Sequence, residues 1–292
     1  MADLPIAAVA CAFLGAALFA VGAVAQQRAA SDVPEGEALL ARLVRSPRWW
    51  AGLLGDAGGF GLQVAALALG SVLVVQPILV SALVFALPLA ARYSGRRVTG
   101  RMWAQAAALS IALACFLVVG DPTEGVVDAP GHRWLWPLGA VLAVVAVCIA
   151  AGLTLSAPSV RALLLGTAAG LLFGISAALT DHVMHLFEHG VGAVLRGWEI
   201  YALAVTGLGG LYVQQRGYQA GPLSASLPAF TVTEPIAAAV LGMTVLDERL
   251  RSGPVGTAVV IVAAVVMCVA AVQLSQAQAH DDAAAQAAEV TR

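Results

Sequence analysis

The chain has 292 residues, of which 60% are hydrophobic and 11% charged, with a mean hydropathy of +0.88 and a net charge of −2. A soluble domain carries about 25% charged residues, so this composition excludes a water-soluble globular protein. With no strongly basic soluble segment, it also argues against a nucleic-acid partner.

The composition is that of an all-α, polytopic membrane protein. Residues 4–27 lack a basic n-region and a clear small-residue cleavage site, and read as a retained first span rather than a signal peptide. Further apolar stretches at 49–69, 71–92, 102–120, 134–151, 160–181, 197–216, 222–246 and 254–274 bring the expected number of spans to nine. Turn chemistry separates them: Ser94-Gly95, Asp121-Pro122, Pro130-Gly131, Ala157-Pro158 and Ser252-Gly253-Pro254. Trp49, Trp50, Trp134, Trp136 and Trp198 cluster at span starts, where interfacial anchors belong. The segment between the first two spans mixes three acids with four arginines and reads as a solvated loop. Residues 276–292 read as a polar cytoplasmic tail, a frayed helix end or a disordered one.

All fifteen basic residues are arginine. With nine spans, the side carrying Arg28, Arg42, Arg45 and Arg48 and the loop at Arg92–Arg101 holds eleven of them; the other side holds Arg133, Arg196, Arg249 and Arg251. The positive-inside rule then predicts a multi-pass plasma (inner) membrane protein with the N-terminus outside and the C-terminus cytoplasmic. Cys11, Cys115, Cys148 and Cys268 lie in apolar segments with no CxxC pair, and read as small hydrophobes in helix packing.

The chain repeats itself. "GGFGLQVAALALGSVLVVQP" (58–77) overlays "GGLYVQQRGYQAGPLSASLP" (209–228), so that Gly58/Gly209, Gly59/Gly210, Gln63/Gln214, Gly70/Gly221 and Pro77/Pro228 coincide. "AALFAVGA" (16–23) echoes "GLLFGISA" (170–177) at a nearby offset. Five spans separate equivalent elements, an odd number, so the copies would be inverted in the membrane. Inverted repeats are a hallmark of secondary transporters. The expected organisation is a first transmembrane repeat of five helices (1–151), a second of four (152–275), and the tail.

Several residues carry chemistry. Glu234 would lie mid-membrane, where a charge costs at least about 2.5 kcal/mol, with no arginine at that depth. Thr231, three residues earlier, shares its helical face and is placed to hydrogen-bond it. Pro235, Pro228 and Pro77 loosen their helices and read as hinges. Asp56 and Gln63 are seven residues apart on one face. With Gln214 and Gln76 they read either as lining a shared cavity or as amides tying helices together. In "TDHVMHLFEHG" (180–190), His182, His185 and His189 fall within about 60° on a helical wheel, and Asp181 and Glu188 widen the arc. That spacing admits a transition metal. It also fits the polar face of an interfacial amphipathic helix, which we prefer. No cofactor is expected. Nor is catalysis: no phosphate loop, nucleophile elbow or zinc-protease motif appears.

The stretch "EPIAAAVLGMTVLDERLRSGPVGTAVVIVAAVVM" (234–267) resembles the end of the second EamA-type repeat of the drug/metabolite transporter superfamily. The matching features are Glu234-Pro235, the turn Leu246-Asp247-Glu248-Arg249-Leu250 and Gly256. In the first half, "GAVAQQRA" (22–29) and "RWWAGLLGDAGGFGLQVAALALGSVLVVQP" (48–77) resemble the NIPA-type magnesium transporters. The first repeat departs from the pattern, with Arg96-Arg97 where the second has Asp247-Glu248, and a tenth span is absent. The resemblance implies an EmrE/EamA-like fold and a secondary transporter of a small metabolite or a cation. Glu234, Thr231 and Asp56 would then take part in substrate, ion or proton coupling. A magnesium or divalent-cation carrier is one alternative; a non-transporting scaffold or sensor subunit is another. The implied partners are the substrate and the lipid bilayer, and the glycine pairs also allow a homodimer.

Overall fold

The computed structural model describes residues 6–69, 75, 78–79, 81–93, 98–119, 131–188, 190–245 and 253–290. Every regular element among them is helical. In chain order they are α1 (Ile6–Ser31), α2 (Leu39–Leu43), α3 (Pro47–Leu69), α4 (Ala82–Tyr93), α5 (Gly100–Val119) and α6 (Gly131–Thr154), then α7 (Pro158–Glu188), α8 (Val191–Arg196), α9 (Trp198–Ala220), α10 (Leu223–Val245) and α11 (Gly253–Val290). Among the described residues, five helices are long and apolar enough to cross a bilayer: Ile6–Ser31, His132–Thr154, Pro158–Thr180, Leu223–Val245 and Gly253–Gln273. The chain is a membrane-embedded helical protein.

Helix α1 packs against α3, α4 and α9, while α7 packs against α6, α9 and α10; α5 pairs with α11. Between lipid-embedded helices there is no hydrophobic drive, so close contact comes from small residues that let backbones meet. Two glycine seams do this. On α1 and α3, a Cβ at Gly15 would stand 3.2 Å from the Gly59 carbonyl, and one at Gly52 would stand 3.0 Å from the Gly22 carbonyl. On α7, Gly166, Gly170 and Gly174 recur every fourth residue and face α10. A Cβ at Gly170 would lie 2.6 Å from Phe230 O, and one at Gly174 would lie 3.0 Å from Ala238 N. The outer surfaces stay apolar: Trp136, Val205, Leu208 and Val255 are all exposed, as a lipid-facing surface requires.

Four local expectations are modified. Helix α11 continues to Val290 instead of fraying after the span, because "QAQAHDDAAAQAAEV" is rich in strong helix formers. Residues 180–188 are not a helix of their own but the last turns of α7, which ends before Gly190 at φ +95°. Trp49 and Trp134 are buried against protein neighbours, packed edge-on against the exposed Trp50 and Trp198 at 5.2 and 5.7 Å, where all five tryptophans were expected to face outward. The segment after α1 is a folded strap, not a solvated loop: Val33, Leu39 and Leu43 are buried and draw it down onto the bundle.

Candidate functional site

Asp56 lies nine residues into α3, about 14 Å along the helix. The seam glycines bring α1 so close that a Cβ at Gly22 would collide with Asp56 Oδ1. That approach sets Gln26, one turn further along α1, against the carboxylate. Gln26 Nε2 donates to Asp56 Oδ2 at 2.5 Å, and Gln215 Nε2 on α9 donates to Gln26 Oε1 at 2.7 Å. Gln26 and Gln215 are buried, at 1% and 0% exposure. The two amides form a directed chain from α9 through α1 to a carboxylate on α3. Its far end is incomplete, because Gln215 Oε1 is buried with no hydrogen-bond partner among the described residues. Tyr218, one turn beyond Gln215, is also buried and within reach of the Asp56 charge.

Asp56 and Gln63 share a face of α3, as the spacing predicts, and the described partner of Asp56 is Gln26 of α1. Gln215, next to Gln214, reaches the network. Gln63 and Gln214 are partly buried, and their side chains make no hydrogen bond among the described residues. Sequence reasoning placed Asp56 but assigned no role to Gln26 or Gln215. A signal was present: "AQQRA" (25–29) and "VQQRG" (213–217) carry the same Gln-Gln-Arg triplet.

Glu234 lies in α10 between Thr233 and Pro235, opposite the α7 seam, where Gly170 approaches its amide nitrogen. No described side chain hydrogen-bonds or ion-pairs with its carboxylate. The expected Thr231 contact is not made: Thr231 Oγ1 donates to Leu227 O at 2.8 Å, the back-bond that a threonine hydroxyl makes within its own helix. Thr233 does the same to Ala229 O at 2.8 Å and also reaches Thr167 O on α7 at 3.2 Å. Pro228 and Pro235 both lie inside α10, so the helix lacks two ladder donors within two turns. Ser176 and Thr206 join α7 to α9 by a 2.8 Å hydroxyl contact.

Gln76 and Pro77 lie outside the described residues, as do His189 and the side chains of His182 and His185. Among the described residues, no group of three metal-ligating side chains gathers.

The strap covers the end of the bundle nearest Asp56. Glu37 N bonds Pro34 O at 3.3 Å around Gly36, whose φ of +97° suits the third position of a type II turn. Glu35 at the corner meets Arg161 Nη1 of α7 at 2.6 Å, and Arg161 Nε holds Gly152 O of α6 at 3.2 Å. Gln219 of α9 donates to Val33 O at 2.7 Å. The Arg161 hydrogen bond holds the Glu35 carboxyl below its ordinary 4.5.

No protein-family model matches the chain, and no solved structure matches it. It is 37% identical over 249 residues to "Uncharacterized protein Cgl0250/cg0304" of Corynebacterium glutamicum, spanning 82% of this chain and 84% of that protein. This chain belongs to the family of the Corynebacterium protein.

Proposed function

We propose that this chain is a secondary transporter built on the drug/metabolite transporter plan, moving a small metabolite or cation across the plasma membrane by alternating access. The observation that carries the reading is Glu234: a carboxylate within a bilayer-length helix, with no described partner, beside a proline. Such a group is expensive in lipid unless it titrates, binds an ion or lines a water-filled path. The resemblance at residues 234–267 supports the same reading. So does the parallel packing of α1 on α3 and α4 and of α7 on α9 and α10, which is what two repeats would produce.

Glu234 would hold a proton or cation in one state and release it in the other, with the paired prolines of α10 absorbing the bend. The N-terminus would be outside and the strap cytoplasmic, on the arginine-rich side. A magnesium carrier is the less favoured cargo. Asp56 on α3 and Glu234 on α10 are the two acids near the middle of described helices, few for an ion that demands six oxygen ligands.

Alternating access is tested with Thr231→Cys, one turn from Glu234, in a chain whose four native cysteines are replaced by serine. A membrane-impermeant thiol reagent should label it from either side of a liposome, with rates that shift oppositely when substrate is added. Labelling from one side only, unaffected by any cargo, would favour a static membrane scaffold.

A further inference from the structure

We infer that Asp56, Gln26 and Gln215 form a proton-binding site whose hydrogen-bond chain reverses direction when Asp56 is protonated, linking α3 and α1 to α9. The inference rests on the transport reading only for its purpose, not for its chemistry.

Three observations carry it. The first is the ligand set. Gln26 presents its N–H to Asp56, and its one oxygen is taken by Gln215 Nε2. The amides are arranged to satisfy an anion, not to ligate a metal. The second is space. Gly22 abuts Asp56 Oδ1, and Gly52 would overlap Gln26 if it carried a Cβ, which would lie 2.6 Å from Gln26 Cγ. A hydrated ion has no room beside the carboxylate, and a proton needs none. The third is Gln215 Oε1, wholly buried and without a partner among the described residues. As the chain stands, an acceptor is wasted at its far end.

Protonation of Asp56 puts that acceptor to use. A protonated carboxyl donates one hydrogen bond where the carboxylate accepted one. If both glutamine amides rotate by half a turn, Asp56 O–H donates to Gln26 Oε1 and Gln26 Nε2 donates to Gln215 Oε1. The added proton stays on Asp56 and no other covalent bond forms or breaks; the two hydrogen bonds re-form with reversed polarity, and the Gln215 NH2 group takes the place of its oxygen. An amide is nearly isosteric with its own flipped form, so the reversal needs no repacking.

Asp56 faces Gly22 and Gln26 from α1, and Gln215 and Tyr218 from α9. Tyr218 is the titratable neighbour. Arg28 is turned about 200° around α1 from Gln26, and Arg216 on α9 donates to Gln219, toward the strap.

The test is infrared difference spectroscopy of the full-length protein in liposomes during a pH titration. The Glu234→Gln background removes the other carboxyl near the middle of a described helix. Acidification should raise a carboxylic-acid carbonyl band that Asp56→Asn lacks. Gln26→Leu keeps the carboxyl but removes the donor to its charged form; charge-assisted bonds are about twice as strong as neutral ones, so proton affinity should rise about tenfold. A carboxylic-acid band of undiminished intensity in Asp56→Asn overturns the inference. Should Asp56→Asn fail to fold, an unchanged midpoint in Gln26→Leu overturns it equally. If the band follows Asp56 while liposomes show no flux, the proton site stands and the transport reading falls.

Discussion

Replacing Gly170 with alanine should separate α7 from α10. The new Cβ would stand 2.6 Å from Phe230 O and 3.1 Å from Glu234 N, and would press on Thr233 Oγ1. A close carbon–oxygen contact relaxes at about 3.3 Å, so the helices must part by about 0.7 Å. Two of the three opposing atoms belong to the α10 backbone, which cannot rotate away. Overpacking of this kind costs about 1–3 kcal/mol. Gly209→Ala is the matched control, because nothing lies within 4 Å of its Cβ. There alanine should be neutral, or stabilising by about 0.5–1 kcal/mol through the loss of glycine's backbone freedom. The assay is the midpoint of unfolding in mixed detergent micelles, read by tryptophan fluorescence. A Gly170→Ala protein as stable as Gly209→Ala would refute the close packing of α7 on α10.

The polar chain makes its own prediction. Gln215→Leu leaves Gln26 Oε1 buried without its donor, and should destabilise by about 1–3 kcal/mol. The Gln26→Leu/Gln215→Leu double variant should lose less than the sum in the same unfolding assay. Strict additivity would mean that the two amides do not interact. The Glu35–Arg161 pair has a pH signature. The folded carboxyl is held down, so its stabilisation is present above the unfolded value of 4.5 and is lost as pH falls through the lower folded value. Glu35 is largely exposed, which limits the pair to about 1 kcal/mol or less in low salt. The stability gap between wild type and Arg161→Gln should therefore shrink when unfolding is measured near pH 3 instead of near pH 6. Gly36→Ala forces a side chain into a positive-φ turn and should strain the strap by about 1–2 kcal/mol. Faster hydrogen exchange confined to residues 32–38 is the expected readout; unchanged exchange there would contradict the turn.

How much of this was legible in the sequence depended on the kind of signal. The all-helical membrane class followed from composition, since an apolar chain with so little charge has no other solvent to face. Helix positions followed from apolar runs and from turn glycines and prolines. Side-chain partners did not. Asp56 and Gln63 share a face by spacing, but the partner of Asp56 comes from α1, and only the closeness allowed by Gly22, Gly52 and Gly55 brings Gln26 to it. Two adjacent glutamines at 214–215 are indistinguishable in composition; the rotation of α9 against α1 decides that Gln215 points inward. Thr231 was expected to serve Glu234 because they share a face, yet the carbonyl of Leu227 is nearer and always present. The strap was hidden because its buried residues, Val33, Leu39 and Leu43, are scattered among charges that face water.

The central claim is that an unpartnered intramembrane carboxylate couples ion movement to transport. The direct measurement is flux into liposomes of purified protein, with a pH-sensitive dye and, in parallel, a magnesium dye inside. Wild type and Glu234→Gln are compared under an imposed magnesium gradient and then with a panel of metabolites. The account predicts cargo-dependent proton or magnesium movement in wild type, abolished in Glu234→Gln while that variant remains folded and inserted. Equal flux from the two proteins, or none from wild type above empty liposomes with any cargo, would contradict it.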